Sequence, residues 1–373
     1  MIHLRYKTLR AGGYDSLKIN ICRFLTICCL CFLIVAQAAA SEGDEDAVTI
    51  LAVGDIYIGG SAEFYLKKNG YSYPFRETEN IIRNSDIALA NLEAPLTDSV
   101  NVLMEKKFVL KAAPAAASAI KTAGFDVVTL ANNHIMDYGA DGLKDTIDLL
   151  DKAGIRHTGA GQDLKEARTP AILNIKGAKV AFLAYSNVFP EEFYATENSA
   201  GTAQGLYEHI KSDVKNISKH VDIIVVSFHW SEELARYPKE YQIRLAHLAI
   251  DNGADLVVGH HPHVIQGVER YKDGIVFYSL GNFAFGSFSQ APEGIMAIVK
   301  LNKGKIISAE IIPLNVNNKE VLFQPKPLQG EGAVSVIDDI RDISSRFGGL
   351  ILTVKEGKGF LLSGEMEAAA NSR

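Results

Sequence analysis

Three of the ten histidines in this chain lie within four positions, in the stretch Gly259-His-His-Pro-His263. The apolar run Leu256–Val258 just before it predicts a buried strand, so the histidines stand where that strand ends. Neutral imidazole is the commonest protein ligand of transition metals, and it is also the usual acid or base near neutral pH. The pattern therefore indicates a metal or catalytic site; the alternative is a loop of solvated histidines.

Polar residues of similar kinds directly follow five further apolar runs. They are Gly54-Asp55, Asn91-Leu92-Glu93, Asn132-Asn133-His134, His229-Trp230 and Leu280-Gly281-Asn282. The carboxyl ends of parallel strands meet at one edge of a sheet, so six such ends should bring their side chains to one region. Each group alone has a structural explanation, such as a turn, a helix cap or a buried core histidine. Recurrence after six of the first seven predicted strands favours a site.

The mixture of ligand types points to a class of metal. Carboxylate and amide oxygens combined with imidazoles suit Mn²⁺, Fe or Zn²⁺ better than Ca²⁺ or Mg²⁺. Two such ions about 3.5–4 Å apart can clamp an in-line displacement at phosphorus. The sequence therefore predicts a site for one or two divalent transition metal ions.

Valine- and isoleucine-rich runs alternate with helix-like runs along the chain, which predicts a layered α/β fold. Helices are expected at Pro114–Ala123, Asp141–Ala153 and Tyr241–Asn252, each followed by a glycine. Strands are expected at Val48–Val53, Ile87–Ala90, Val127–Leu130, Val180–Ala184, Ile223–Ser227, Leu256–Val258, Ile275–Ser279, Ile295–Val299 and Ile306–Ile312.

The domain organisation follows from where this alternation begins and ends. We expect one domain over residues 47–314, with an insertion over a sheet edge at Asn187–Gly205. Residues 315–364 should form an extension packing on the domain, including a helix-strand unit at Ala333–Val354. The tail Glu365–Arg373 is expected to be disordered.

The first 40 residues have the order of a secretory signal peptide: basic residues, a dozen apolar residues, then Ala38-Ala-Ala40. The alternative is an uncleaved anchor, but the apolar run is short for a bilayer span. All four cysteines (Cys22, Cys28, Cys29 and Cys31) lie in this segment, which fits an oxidising exterior. We therefore expect a periplasmic or extracellular protein, either released or membrane-associated.

The charge of the chain excludes one class of partner. The first 40 residues hold five of the 38 basic residues and one of the 44 acidic residues, so without them the net charge falls from −6 to −10. So acidic a protein is not expected to bind nucleic acid.

Taken in order, these motifs resemble those of the CapA family of capsule and poly-γ-glutamate biosynthesis proteins. The resemblance covers residues 48–330. It rests on Gly54-Asp55, Asn91-Leu92-Glu93, Leu130-Ala-Asn-Asn-His134, Asp137-Tyr-Gly139, His229-Trp230, Gly259–Val264, Ser279–Phe283 and Gln324–Leu328. That family is similar in fold to calcineurin-like metallophosphatases. The resemblance therefore implies a two-layered β-sandwich flanked by helices, with the site at the carboxyl ends of the strands.

The resemblance also implies roles for individual residues. His134 would protonate the leaving oxygen, and His260 competes with His261 for the first place in the last ligand pair. Tyr57 stands where such phosphatases have a histidine, and Asn91-Leu92-Glu93 replaces their Gly-Asp-x-x-Asp motif, so one of two metal sites is poorer in ligands. The implied metal ligands are Asp55, Glu93, Asn133, His229, His261 and His263, and the implied substrate-binding residues are Asn91, Asn132, His260 and Asn282.

Two functional hypotheses follow. In the first, an exported CapA-like protein cleaves a phosphoester or a related bond of an anionic envelope polymer by metal-dependent, phosphoesterase-type hydrolysis. In the second, a non-enzymatic accessory factor binds or exports that polymer. Both imply an anionic polymer or phosphoester substrate, and membrane-bound synthesis proteins as partners.

Overall fold

Valine- and isoleucine-rich runs form two β-sheets that pack face to face. The structure, a computed structural model, describes residues 46–288, 291–348 and 352–361. The predicted signal peptide and the predicted tail lie outside the described residues. From Val48 onward the described residues form one compact unit.

The strands vary from two-residue pairs to an eleven-residue strand. In chain order they are β1 (Val48–Tyr57), β2 (Ile87–Leu92), β3 (Val127–Thr129), β4 (Arg156–Thr158), β5 (Ala160–Gly161), β6 (Ala171–Ile175), β7 (Ala178–Ser186), β8 (Gly201–Thr202), β9 (Ile223–His229), β10 (Leu256–His260), β11 (Val268–Tyr271), β12 (Gly274–Phe277), β13 (Asn282–Phe285), β14 (Glu293–Asn302), β15 (Lys305–Asn315), β16 (Lys326–Pro327), β17 (Leu352–Lys355) and β18 (Lys358–Leu361).

The helices lie mainly between the parallel strands. They are α1 (Glu63–Asn69), α2 (Glu79–Arg83), α3 (Ala115–Ala123), α4 (Gly139–Ala153), α5 (Leu164–Ala167), α6 (Tyr207–Ile217), α7 (Glu240–Asp251), α8 (Asn318–Val321) and α9 (Gly330–Ser344). Short 3-10 turns occur at Gly60–Ala62, Tyr73–Phe75, Glu191–Phe193 and Ser345–Phe347. Within the described part of the chain, no helix is both long enough and apolar enough to cross a bilayer.

The first sheet has the strand order β17-β18-β15-β14-β1-β2-β3-β4, with β13 beside the end of β1 and β16 beside β15. The second sheet has the order β11-β12-β10-β9-β7-β6, and β5 and β8 form a separate pair. Alternate residues of the central strands point to opposite faces, so one face of each sheet joins a shared apolar core. The opposite faces pack against helices, α3 and α4 on the first sheet and α6 and α7 on the second. The predicted two-layered sandwich flanked by helices is confirmed.

All nine predicted strands and all three predicted helices are present, but some bounds differ. Strand β1 continues to Tyr57, so Asp55 lies within the strand and not after it. The expectation that all the ligand-bearing strands share one sheet edge is wrong: β1, β2 and β3 belong to the first sheet, β9 and β10 to the second. The second sheet begins with the antiparallel pair β6–β7, and its parallel set β7, β9 and β10 follows.

The chain after Asn315 extends the first sheet. Strand β16 pairs with β15, and the hairpin β17–β18 pairs with β15 further along. Helix α9 buries Ile337 and Ile340 in the core between the sheets. The stretch Asn187–Gly205, expected as an insertion, contains the 3-10 turn Glu191–Phe193 and β8.

Four aspartates at the amino ends of the strands have the same two contacts. Each precedes a strand by one residue, donates its backbone N–H to the second residue of the neighbouring strand and accepts that residue's N–H on its carboxylate. The pairs, with the carboxylate distances, are Asp86 with Thr49 (2.8 Å), Asp126 with Ala88 (3.1 Å), Asp222 with Lys179 (2.8 Å) and Asp255 with Ile224 (2.7 Å). These four aspartates thus fasten adjacent strands.

Candidate metal centre

The position of the Asp55 carboxylate is set by the close approach of β1 to the chain just before β13. The backbone N–H of Asp55 donates to the Gly281 carbonyl oxygen over 3.1 Å, which aligns Asp55 with Asn282 of β13 on one side and with Asn91 of β2 on the other. A Cβ atom at residue 54 would collide with that same Gly281 oxygen, so glycine is required there. Asp55 is fully buried as a result.

Asp55 and Glu93 form a buried carboxylate pair with opposite pKa shifts. Burial and the charge of Asp55 raise the pKa of Glu93 well above its usual range. Burial also disfavours ionised Asp55, but the close imidazoles of His260 and His263 outweigh it and hold the Asp55 pKa well below its usual value. Buried like charges are unfavourable unless a cation compensates them, so the pair indicates a cation site.

Three imidazoles surround Glu93. Its Oε1 atom lies 3.6 Å from His263 Nε2 and 3.7 Å from His229 Nε2, and it has no hydrogen-bond partner among the described residues. The buried Nδ1 atom of His261 is likewise unpartnered there. Both His261 and His263 have positive φ angles, of 91° and 57°, an uncommon backbone conformation for residues other than glycine. Such strain is typical of functional sites.

The protonation states of these rings differ. Burial, and then the charge of His263, lowers the pKa of His261 to about 3. Burial, with the charge of His261 next, lowers the pKa of His229 well below its usual value. Burial also disfavours charged His263, but Glu93 and Asp55 outweigh it and raise its pKa to about 9. Two imidazoles are therefore neutral and ready to bind a metal, and the third must lose a proton to do so.

Potential ligand atoms form two overlapping groups, each with its atoms within 4.8 Å of one another. Glu93, His261 and His263 make one group; Asp55, Glu93 and His229 make the other. Glu93 belongs to both groups, so its carboxylate is placed to bridge them. The donor chemistry and the unpartnered buried atoms fit a divalent transition metal.

The side chains of Asn133 and His134 point in different directions. Asn133 Oδ1 lies 2.9 Å from His229 Nε2, beside the ligand groups. His134 Nδ1 lies 2.9 Å from Asp137 Oδ2, and the ring lines a neighbouring cavity. Burial lowers the pKa of His134, although Asp137 opposes this effect.

The predicted substrate-binding residues lie behind the ligands. Asn91 Nδ2 donates to Asp55 Oδ1 over 2.9 Å, and Asn132 Nδ2 donates to Asn91 Oδ1 over 3.1 Å. His260 Nδ1 lies 3.1 Å from Asp55 Oδ1, and Asn282 Oδ1 lies 3.0 Å from His263 Nδ1. All four are buried, and of the four only Asn282 lines the cavity. These contacts support a positioning role for the other three; substrate contact remains a prediction.

Two residues here were not assigned a role from the sequence. The ammonium of Lys106 contacts Asp137 and donates to the Asn133 carbonyl over 2.6 Å. Asp137 also accepts the backbone N–H of Leu110 over 2.6 Å, so it joins His134 to the segment 97–111. Asp137 follows His134 by three residues, a spacing that signals a contact, whereas Lys106 lies in a segment without periodicity.

A family described as "Bacterial capsule synthesis protein PGA_cap" matches residues 49–287. The chain belongs to this family. Among similar proteins, "Capsule biosynthesis protein CapA" of Bacillus anthracis is 35% identical over 306 residues, covering 79% of this chain and 72% of that protein. "PGA biosynthesis protein CapA" of Bacillus subtilis (strain 168) is 32% identical over 276 residues, covering 73% of each. The resemblance to the CapA family is confirmed.

One similar solved structure is the calcineurin-like phosphoesterase YfkN from Bacillus subtilis. Its TM-score is 0.45 at 15% identity, and the alignment covers 81% of this PGA_cap chain and 97% of that one.

Proposed function

We propose that this PGA_cap protein acts outside the cytoplasm in capsule or poly-γ-glutamate synthesis, and that its buried cluster binds one or two divalent transition metal ions for phosphoesterase-type hydrolysis. The observation that carries the proposal is Glu93 Oε1: a buried, unpartnered carboxylate oxygen between two imidazole nitrogens. Membrane-bound synthesis proteins and an anionic polymer are the proposed partners.

Sequencing the amino terminus of the secreted form tests export; a retained residue 1–38 segment in the membrane fraction would contradict cleavage.

The proposed ligands are Asp55, Glu93, Asn133, His229, His261 and His263. An ion held by these residues would supply Lewis-acid polarisation of a phosphoryl oxygen and would lower the pKa of water. Asp137 holds Nδ1 of His134, so in the protonated ring Nε2–H remains available for the leaving oxygen. Asn91 and Asn132 fix the carboxylates and the turn that bears His134 through their hydrogen bonds.

A second candidate function is polymer binding without catalysis. The observation in its favour is Tyr57, which occupies a position where the resemblance implies an imidazole ligand. Its ring is buried and packs edge-on against Phe285, with 5.5 Å between the centroids. A tyrosine in that packing leaves the second ligand group with a single histidine, His229.

Metal analysis tests the first proposal. Tag-free wild-type protein, reconstituted with Mn, Fe, Zn or Co, should retain at least one ion per chain by elemental analysis. Replacing His229 with Ala should weaken metal binding more than about 100-fold, because even outer-shell contacts are worth 10–100-fold. No retained ion in the wild type would defeat the proposal.

The matched control is His247→Ala. His247 also bonds a buried carboxylate, with Nε2 3.0 Å from Glu269 Oε2, but it lies outside both ligand groups. It should leave the metal content unchanged. Hydrolysis of p-nitrophenyl phosphate by the loaded wild type, abolished by a chelator, separates the two candidate functions: metal binding without turnover would favour the binding protein.

A further inference from the structure

A cavity of about 290 Å³ opens beside the metal centre, with His134, His263 and Asn282 among its lining residues. Its walls carry aromatic rings from separate segments, Phe108 on one and Phe288 on the other. These rings are 52% and 56% exposed, high values for phenylalanine. A wall of this kind offers apolar contact to a ligand that reaches the metal centre.

The segment that supplies Phe108 also supplies a free cation. Lys107 has no ion-pair partner in the part of the chain that the structure describes, and its ammonium lies 4.9 Å from the Phe108 ring centroid. Its neighbour Lys106 is different, since it turns inward to Asp137. The bond from the Leu110 N–H to Asp137 anchors this segment beside the metal centre. Lys107, which is exposed and lines the cavity, therefore presents a positive charge to it.

We propose that Lys107 and Phe108 form a subsite for an extended carboxylate polymer, and that this polymer passes through the cavity beside the metal centre. This inference rests on the proposed function and names the substrate class of that site. A γ-linked glutamate chain suits the chemistry, because each repeat has a pair of methylene groups and one free carboxylate. The methylenes pack on the phenylalanine rings while the carboxylate pairs with Lys107.

Glu233 sets a limit on this complementarity. It is the acidic side chain among the described residues that line the cavity, and it is exposed. A carboxylate polymer is repelled by it and attracted by Lys107. The subsite therefore predicts opposite effects for the two charges, which a purely apolar pocket would not show.

The test is binding of end-labelled poly-γ-glutamate to metal-loaded, full-length protein, followed by fluorescence anisotropy at fixed ionic strength. Lys107→Glu should weaken binding about three- to tenfold, because it reverses one partly solvated ion pair. Phe108→Ala should weaken binding by a similar factor through lost methylene contact. Glu233→Gln should tighten it. Wild-type protein that does not bind the polymer would overturn the inference.

A second lysine over an exposed phenylalanine provides the matched control. On α1, the Lys68 ammonium lies 6.0 Å from the ring centroid of Phe64, and neither residue lines the cavity. Lys68→Glu and Phe64→Ala should leave polymer affinity within twofold of wild type. Equal losses at the control pair would mean nonspecific attraction and would overturn the inference, as would unchanged affinity in Lys107→Glu.

Polyphosphate separates the two parts of the subsite because it has charge but no methylenes. Its binding should depend on Lys107 and not on Phe108; equal dependence on Phe108 would contradict methylene recognition. Metal content is measured on the same samples. Loss of metal in the wild type contradicts the proposed function, whereas unchanged polymer affinity in Lys107→Glu contradicts only this inference.

Discussion

The amino and carboxyl ends of the parallel strands use carboxylates in different ways. At the amino ends, four aspartates such as Asp126 each exchange two hydrogen bonds with the second residue of the neighbouring strand. At the carboxyl ends, Asp55 and Glu93 are fully buried, and their neighbours are asparagine and histidine side chains with few backbone N–H groups. The amino ends satisfy their carboxylates, whereas the carboxyl ends leave some atoms unpartnered.

This difference separates stability from function. A carboxylate that accepts a backbone N–H contributes to the fold, because it satisfies a group that otherwise loses water on burial. The unpartnered Oε1 atom of Glu93 and the strained backbone at His261 and His263 destabilise the apoprotein locally. Unpartnered buried polar atoms and strained backbone are concentrated at the proposed metal centre.

The largest expected effect tests the carboxyl ends. His134→Ala should retain metal, because His134 is in neither ligand group. It should reduce phosphoesterase turnover by about 10²–10⁴-fold, the usual contribution of a general acid. Steady-state hydrolysis of p-nitrophenyl phosphate and elemental analysis of the same sample check both statements.

Loss of metal from His134→Ala would show that this residue is a ligand and that the assignment is wrong. Unchanged turnover with full metal content would remove the general-acid role. Thermal unfolding of the apoprotein should change little, since the site and not the core is altered. A large loss of stability would break the proposed separation between the two strand ends.

Much of the fold was predictable because strands and helices are marked by short-range sequence features, such as apolar runs and the glycines that follow helices. Val- and Ile-rich runs predicted β7, β9 and β10, and the glycine after Ala123 predicted the end of α3. Strand-end positions also gave the proposed ligands, because a polar side chain directly after a buried strand lies at the edge of the sheet. His229 and Glu93 were found in this way and do lie together.

What the sequence did not show depends on contacts between distant segments. Local periodicity does not tell which sheet a strand joins, so the division into two sheets came only from the resemblance. Asn282 was expected at the end of the seventh strand, but it begins β13, which pairs with β1. Lys106 reaches Asp137 from an irregular segment, and no spacing rule predicts such a contact.

A smaller effect is expected at the amino ends. Asp126→Ala removes the acceptor of the Ala88 N–H, which should lower the free energy of unfolding by about 1.5–3 kcal/mol, the usual value for a hydrogen bond to a charged group. Asp126→Asn keeps an acceptor and should lose less. Urea denaturation measures both. Metal content should remain at the wild-type level, and its loss in a folded variant would show that the two ends are coupled.

The smallest effect concerns Asp255, where burial raises the pKa to about 7 although the carboxylate accepts the Ile224 N–H. Because the unfolded value is 3.8, the folded protein binds more protons between these values, so this residue's contribution to stability falls as pH rises from about 4 to 7.

Asp255→Asn removes that dependence. Relative to wild type, the free energy of unfolding of the variant should rise by about 1 kcal/mol between pH 5 and pH 8. This is less than the pKa shift alone would give, because solvent screens this partly exposed carboxyl. Urea denaturation at the two pH values tests it. A constant difference would mean that Asp255 is ionised throughout this pH range.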